Sequence, residues 1–397
     1  MKRTSCSACG SSQLELILDL GTSPIADAYA KTSAESLALE RYPLQLAVCE
    51  KCWLVQLLEV LPQEQLFGTG YSFYTSASPP LSRYHEDYAN MAICSYTELA
   101  DRFTVEIGCN DGDLLRHFAA AGCRTMGIDP AEGPMQVARD RGLDVRFRPF
   151  SLRYAQDIVE AMPKAGLIIA NHVLAHVADV SDFLAGIALL LDDDGVALIE
   201  VQYLPDLLVN NAFDLVYHEH RNFFSLTSLE LALSRHGLRV AHLWQTDRQG
   251  GSLRVEVRRA TSFEPAVRRL RSSELWLQNM GAYEGLQGRV NRIRMRLRDL
   301  VEMELGQGRK VVGYGAPAKA TTLLNFCHLT ELPYAVDTTA AKQNRYIPGT
   351  STIILPPVWA DDPAATYLLL AWNYLSRILR DNPHARWIVP IPAPVRL

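Results

Sequence analysis

Cys6-x-x-Cys9 and Cys49-x-x-Cys52 are paired thiols at knuckle spacing, set roughly 40 residues apart. Two such hairpins can place four thiolates around one Zn²⁺, a closed soft-ligand set with no open coordination position. Cys6, Cys9, Cys49 and Cys52 are therefore expected to hold a structural ion, with Gly10 supplying the tight turn after the first pair. The second reactive cluster is Asp214-Leu-Val-Tyr217-His218-Glu219-His220-Arg221. A metal held by His218 and His220 would need a third ligand that the nearby sequence does not offer, and the helical His-Glu-x-x-His arrangement is absent. General base work fits better: a histidine near its ordinary pKa of ~6.5, with Tyr217 and Glu219 beside it, takes a proton at neutral pH.

A cofactor loop is expected at Glu106-Ile-Gly108-Cys-Asn110-Asp111-Gly112, which leaves a strand and enters a helix. It lacks the third glycine of the dinucleotide fingerprint and is acidic where a pyrophosphate would have to sit. Carboxylates there repel phosphate and attract the ammonium and sulfonium of S-adenosylmethionine. Asp129, at the end of the next strand, can accept both ribose hydroxyls, with helix capping before Pro130 as the alternative. Glu106, Gly108, Asn110, Asp111 and Asp129 are assigned to the cofactor, with Asn171 and His172 after the fourth strand added to them. For His172 and His176 a packing or capping role suits the sequence equally well. Farther on, Gly313-Tyr-Gly315 and the following Lys319 suit a diphosphate, with Asp337 at the next strand end and Lys342 beyond it. These three, with Tyr74 and Ser76, are expected to bind substrate.

The elements that must position these groups are legible as periodic patterns. Short strands at Leu14–Leu18 and Leu44–Val48 serve the metal hairpins, and Gln63–Pro80 has the Gly, Ser, Tyr and Phe content of a loop lying on a ligand. Strands at Thr104–Ile107, Arg124–Ile128, Val145–Arg148, Ala165–Ala170 and Gly195–Val201 alternate with helices such as Pro134–Arg141 and Val180–Leu191, which predicts a doubly wound α/β sheet. One long charged helix is expected from Pro265 to Leu305. A smaller Rossmann-like α/β pattern follows, with strands near Lys310, Pro333–Asp337, Tyr367–Trp372 and Trp387–Ile391. Three domains are expected: 1–75 for zinc, 76–260 for the cofactor and 261–397 for the smaller α/β unit.

With 397 residues, 48% hydrophobic and 21% charged, the composition is that of an ordinary folded protein. A net charge of −5 gives no general attraction to nucleic acid. Arginines 268, 269, 271, 289, 292, 294, 296 and 298 raise that possibility again, but Glu264, Glu274, Glu284, Asp299, Glu302 and Glu304 are interleaved with them, which describes an ion-paired face. No stretch approaches the roughly 18 apolar residues of a membrane span and no apolar signal region opens the chain, so a cytoplasmic monomer or weak oligomer, bound to neither membrane nor nucleic acid, is expected.

The knuckles, the Glu-Ile-Gly-x-Asn-Asp-Gly loop, Val173-Leu-Ala-His176-Val, Tyr217-His-Glu-His220, Gly250-Gly-Ser-Leu-Arg254, Gly313-Tyr-Gly-Ala-Pro-Ala-Lys319 and Lys342-x-x-Arg-x-x-Pro-Gly349 follow one another in the order of a known family. Over essentially its whole length the chain resembles the deoxysugar C-methyltransferases, such as the C-3 methyltransferases that make branched sugars on thymidine-diphosphate hexoses for antibiotics. The resemblance implies a structural zinc, a middle domain that binds S-adenosylmethionine and a C-terminal domain that helps hold the nucleotide-sugar. It also implies removal of a proton next to a 4-keto group and methylation of the enolate. His220 would be the base, Tyr217 and Glu219 would lie close to the sugar, and His176 would assist near the carbonyl. His172 replaces a second asparagine of the family pattern, Gln249 its usual histidine, and Ala320-Thr321 its Gly-Asn, so the sugar accepted is left open. A methyltransferase of the same fold acting on oxygen or nitrogen is the alternative.

Overall fold

The computed structural model describes residues 2–67, 71, 73–97, 102–259, 264–360, 362 and 364–397, so part of the expected Gln63–Pro80 loop and the Gln249 side chain lie outside the described residues. Alternating buried and exposed positions form an N-terminal antiparallel sheet from β1 (Leu14–Ser23), β2 (Tyr42–Cys49) and β3 (Val55–Leu57). Its fourth strand comes from far along the chain: β9 (Asn222–Phe223), directly after the Tyr217–Arg221 cluster, pairs with β3.

The central sheet contains β4 (Thr104–Ile107), β5 (Thr125–Asp129), β6 (Val145–Phe147), β7 (Ala165–Asn171), β8 (Leu191–Gln202), β10 (Arg239–Thr246) and β11 (Ser252–Arg258). Its order is β10-β11-β8-β7-β4-β5-β6; β8 through β6 run parallel, whereas β11 is antiparallel to both β8 and β10. β4 has β5 on one side and β7 on the other, so its carboxyl end is the switch point at which open α/β sheets bind ligands. Glycine lets the chain turn there: Gly108 has φ +76°, and a Cβ would come 2.1 Å from Val173 Cγ2.

The C-terminal sheet has the order β14-β13-β12-β15-β16-β17, built from β12 (Lys310–Tyr314), β13 (Tyr334–Val336), β14 (Ile353–Leu355), β15 (Ala365–Leu369), β16 (Arg386–Val389) and β17 (Val395–Arg396). All its pairings are parallel except β16 with β17.

Two expectations change. The stretch 265–305 is not one helix: Pro265–Ser273 ends at Glu274, short 3-10 turns occupy Leu275–Gln278 and Met280–Ala282, and Gly285 at φ +72° starts Leu286–Gly306. The break places the buried Glu274 carboxylate on the amide N–H groups of Leu226 (2.8 Å) and Thr227 (2.7 Å), where it caps the helix Leu226–Ser234. The expected loop Gln63–Pro80 is helical at both ends: Gln63–Phe67 forms a short helix, and from Pro79 a helix reaching Ser95 packs Tyr88, Ala89 and Ala92 onto the central sheet. Among the described residues no helix is long and apolar enough to cross a membrane.

The cores join the three sheets. Cys6, Cys49, Cys52 and Leu54 share one apolar cluster with Leu174, Tyr203, Phe224 and the central strands. Leu44, Leu46, Val55 and Leu57 share another with Leu204–Val216, the Leu286–Gly306 helix and the C-terminal sheet.

Candidate active site and metal centre

The knuckle sulfurs converge. Cys6 and Cys52 Sγ lie 3.5 Å apart, Cys9 and Cys49 Sγ 3.6 Å, and all four fall within 4.8 Å of one another. A ZnS₄ tetrahedron with bonds of about 2.3 Å has edges of about 3.8 Å, so the donor set fits zinc and leaves no position for a substrate. Left-handed turns close each hairpin at Gly10 (φ +74°) and Trp53 (φ +59°). His218 turns away from His220 and meets the Pro43 carbonyl at 3.2 Å, so the two histidines do not converge on a metal.

At the carboxyl ends of β4 and β5 the cofactor candidates assemble. Asp129 accepts the amide N–H groups of Asn110 (2.9 Å) and Ala131 (2.7 Å); burial raises its pKa to about 6 against these bonds. Glu106 is 5% exposed with Oε2 unpartnered, its pKa pushed well up by burial and then by Asp129, Asp111 and Asp113. Asn171 Nδ2 and His172 Nδ1 are also buried without partners. Such a mixed set of orphaned donors and acceptors fits a polar ligand.

The Asp111 carboxylate, expected at the cofactor, is held by the segment Thr75–Ser76. It takes hydrogen bonds from the Thr75 and Ser76 hydroxyls and from the Ser76 amide (3.1 Å), while Asn110 takes one from the Thr75 amide (3.0 Å). Ser76, expected at the substrate, is thereby a latch on the cofactor loop. Tyr74 stands over Gly133, where an added Cβ would meet its hydroxyl at 2.6 Å. Both therefore lie against the turns that carry Asp111 and Gly133.

The proton-transfer groups are brought together by the loop after β7 and by the segment before β9. Arg221 and Asn222 donate their amides to the Ala175 carbonyl (2.7 and 3.0 Å), and the Asn222 side chain donates to Val177. His220 Nδ1 lies 2.8 Å from the Leu215 carbonyl. A carbonyl only accepts, so Nδ1 carries the proton and Nε2 presents its lone pair, here met by the Tyr217 hydroxyl at 2.7 Å. His176 Nδ1 likewise donates to the Glu219 carbonyl at 2.6 Å, and its ring is 5.2 Å from that of His220. Burial lowers the pKa of both, His176 to about 4 and His220 well below the usual value, so both are neutral. With Nδ1 committed, His176 offers Nε2 as an acceptor. Glu219 has the opposite character. Burial and then the Asp27 carboxylate raise its pKa to about 8, its Oε1 meets the Asp27 amide at 3.3 Å, and Oε2 is unpartnered.

In the C-terminal part, Lys319 is buried: its ammonium lies 3.7 Å over the Trp372 ring and 2.9 Å from Asn373 Oδ1, and burial lowers its pKa to about 8. Asp337 accepts the amides of Ala316 (2.7 Å) and Thr339 (2.8 Å), and Lys342 donates to the Ala316 carbonyl (3.1 Å), so these two brace the Gly315–Ala316 turn.

Several groups at the site escape the motif reading. Asp27 and Tyr29 come from the loop after β1, with the Tyr29 hydroxyl on the Ala316 carbonyl at 2.8 Å. Tyr71 feels the carboxylates of Asp27, Asp129 and Glu219. Glu200 on β8 holds His172 Nε2 at 3.1 Å and Arg254 Nε at 2.9 Å; despite burial, these partners and Tyr84 leave its pKa at about 2. An acidic residue inside an apolar strand was the one available signal for Glu200; Asp27 and Tyr29 carry none.

Three family models match: a zinc binding domain over residues 6–67, a methyltransferase domain over 97–243 and a C-methyltransferase C-terminal domain over 247–392. The C-methyltransferase NovU of Streptomyces niveus is 32% identical, across 98% of this chain and 96% of that protein. A ubiquinone biosynthesis O-methyltransferase of Methylobacterium sp. (strain 4-46) is 35% identical, over only 21% of this chain and 34% of its own length. Magnesium protoporphyrin IX methyltransferase from Synechocystis PCC 6803, solved with bound SAH, overlaps 45% of this chain and 83% of its own at 18% identity and a TM-score of 0.37. The relative matched from end to end, together with the zinc-binding, methyltransferase and C-methyltransferase segments in sequence, leads to one conclusion: the chain belongs to the zinc-containing, S-adenosylmethionine-dependent C-methyltransferases.

Proposed function

We propose that the acceptor is a 4-keto deoxyhexose on a nucleoside diphosphate, specifically a thymidine-diphosphate sugar methylated at C-3, with His220 as the base. The observation that carries this reading is one short segment holding a neutral imidazole with an aimed lone pair, a phenol on that lone pair and a carboxyl that keeps its proton at neutral pH. His220 Nε2 takes the C-3 proton, and the C–H electron pair passes to the ketone oxygen. The Tyr217 hydroxyl, turning from Nε2 to the ketone oxygen as the sugar binds, and protonated Glu219 donate hydrogen bonds to that oxygen as its charge develops. His176 accepts a sugar hydroxyl through Nε2. S-adenosylmethionine supplies a methyl group on positively charged sulfur, toward which the carbanionic C-3 is the nucleophile. In this reading residues 1–75 brace the site, 76–260 bind the cofactor at Glu106, Gly108, Asn110, Asp129, Asn171 and His172, and 261–397 hold the nucleotide-sugar near Lys319, Asp337 and Lys342.

The test is product analysis. Purified protein with ¹³C-methyl S-adenosylmethionine and a panel of 4-keto nucleotide-sugars is expected to give a methyl resonance coupled to a ring carbon. A methyl carbon bonded to oxygen or nitrogen would refute carbon as the acceptor.

A further inference from the structure

We propose that Thr322 and Trp372 of the C-terminal domain are positioning residues for His220, because they hold the backbone turn whose carbonyl fixes which ring nitrogen carries the proton. This inference rests on the reading of His220 as the base. The turn is Phe213–Leu215, a single 3-10 element with no side-chain cap. A piece so short has little stability of its own. Its last carbonyl, that of Leu215, is the acceptor for His220 Nδ1. What holds it comes from elsewhere in the chain. The Thr322 hydroxyl donates to the next carbonyl, that of Val216, at 2.8 Å. The Trp372 indole N–H donates to Asp214 Oδ2 at 2.6 Å. Asp214 is fully buried with Oδ1 unpartnered, so this N–H is a principal satisfaction of a carboxylate that cannot reach water. The Lys319 ammonium sits on the same indole ring, and the absence of a side chain at Gly250 leaves that ring its place beside Leu215, since a Cβ would lie 3.0 Å from Trp372 and 3.4 Å from Leu215.

The consequence is a tautomer choice. With the Leu215 carbonyl in place, Nδ1–H is fixed and Nε2 is basic. If the carbonyl moves away, the ring can carry its proton on Nε2 and donate to Tyr217, and it then has no lone pair to offer a substrate carbon. Loss of the carbonyl also removes a contact that favours the protonated ring, so the remaining basic form titrates lower. Tyr217, His176, His172 and Glu219, the other titratable groups around His220, keep their contacts in Thr322→Val, whereas Trp372→Phe also frees Asp214 and Lys319, so the pH profile is read in Thr322→Val.

The experiment is long-range ¹⁵N NMR of the histidine rings of the full chain, with the His220 signals assigned by their loss in His220→Asn, for Thr322→Val, Trp372→Phe and the conservative Thr322→Ser. In the unmodified protein His220 is expected to be protonated at Nδ1. Thr322→Val and Trp372→Phe are expected to introduce the Nε2–H form, and Thr322→Ser to keep the Nδ1–H form. The paired readout is deuterium incorporation from D₂O into a thymidine-diphosphate 4-keto-6-deoxyhexose. Its rate is expected to fall about tenfold in Thr322→Val, the effect of one lost hydrogen bond, with KM for the sugar unchanged and the acid limb of the pH profile moved to lower pH. An unchanged tautomer in both Thr322→Val and Trp372→Phe overturns the positioning role even where His220→Asn abolishes exchange. Full exchange in His220→Asn instead overturns the base assignment, and the positioning role with it.

Discussion

His220 and Glu219, adjacent in sequence, are displaced in opposite directions by the same burial. His220 is held well below its ordinary pKa, by burial first and His176 second, so it stays deprotonated as pH falls through neutrality. Glu219 is raised to about 8, so it keeps its proton through neutral pH and loses it as pH rises through that value. If protonated Glu219 donates to the enolate oxygen, kcat/KM declines above about pH 8. Glu219→Gln keeps a donor but no titrating proton, and it is expected to remove that alkaline decline. A decline that survives unaltered in Glu219→Gln would assign it to another group.

The elements around these residues are tied by few bonds, and substitutions at those ties test the account. Asp129 binds the Asn110 amide within the expected cofactor loop and the Ala131 amide after β5, so Asp129→Ala releases both. Affinity for S-adenosylmethionine in calorimetry is expected to fall by at least about tenfold; unchanged affinity would free Asp129 of any cofactor role. The first zinc hairpin leads into β1 and the second joins β2 to β3, which pairs with β9 just beyond His220. A structural zinc contributes about 10 kcal/mol or more to its fold, so Cys6→Ser with Cys49→Ser is expected to lose metal, solubility and activity together. Stoichiometric zinc retained in that double variant would refute the four-cysteine centre.

The same ties mark what the sequence reveals. Thiol spacing, a glycine turn after an apolar strand and clustered ionisable groups are local patterns, and Cys6, Gly108 and Tyr217–His220 stand where those patterns place them. The partners of Asp111, the burial of Lys319 and the arrival of Asp27 from the zinc sheet depend on contacts across about 35 to 290 residues, which no local pattern encodes. The break at Glu274 was hidden for a similar reason: the apolar spacing of 265–305 is helical, but a carboxylate wanted by the Leu226 helix interrupts it.

At the scale of the whole molecule, three sheets converge on one loop cluster. The N-terminal sheet supplies Asp27 and Tyr29, the central sheet the cofactor turn, and the C-terminal sheet the side chains against Asp214 and Val216. The arginines of the 265–306 region are partly engaged within the chain: Arg271 pairs with Glu230, Arg298 with Glu302, Arg289 bonds Asn211, and Arg294 lies over Phe326. The claim at the centre is removal of a carbon-bound proton by His220, and solvent exchange reports it without methyl transfer. In D₂O without S-adenosylmethionine, NMR of a thymidine-diphosphate 4-keto-6-deoxyhexose is expected to show deuterium entering C-3 with the unmodified protein, and about 10²–10⁴-fold more slowly with His220→Asn. Equal exchange rates in the two proteins would contradict the account.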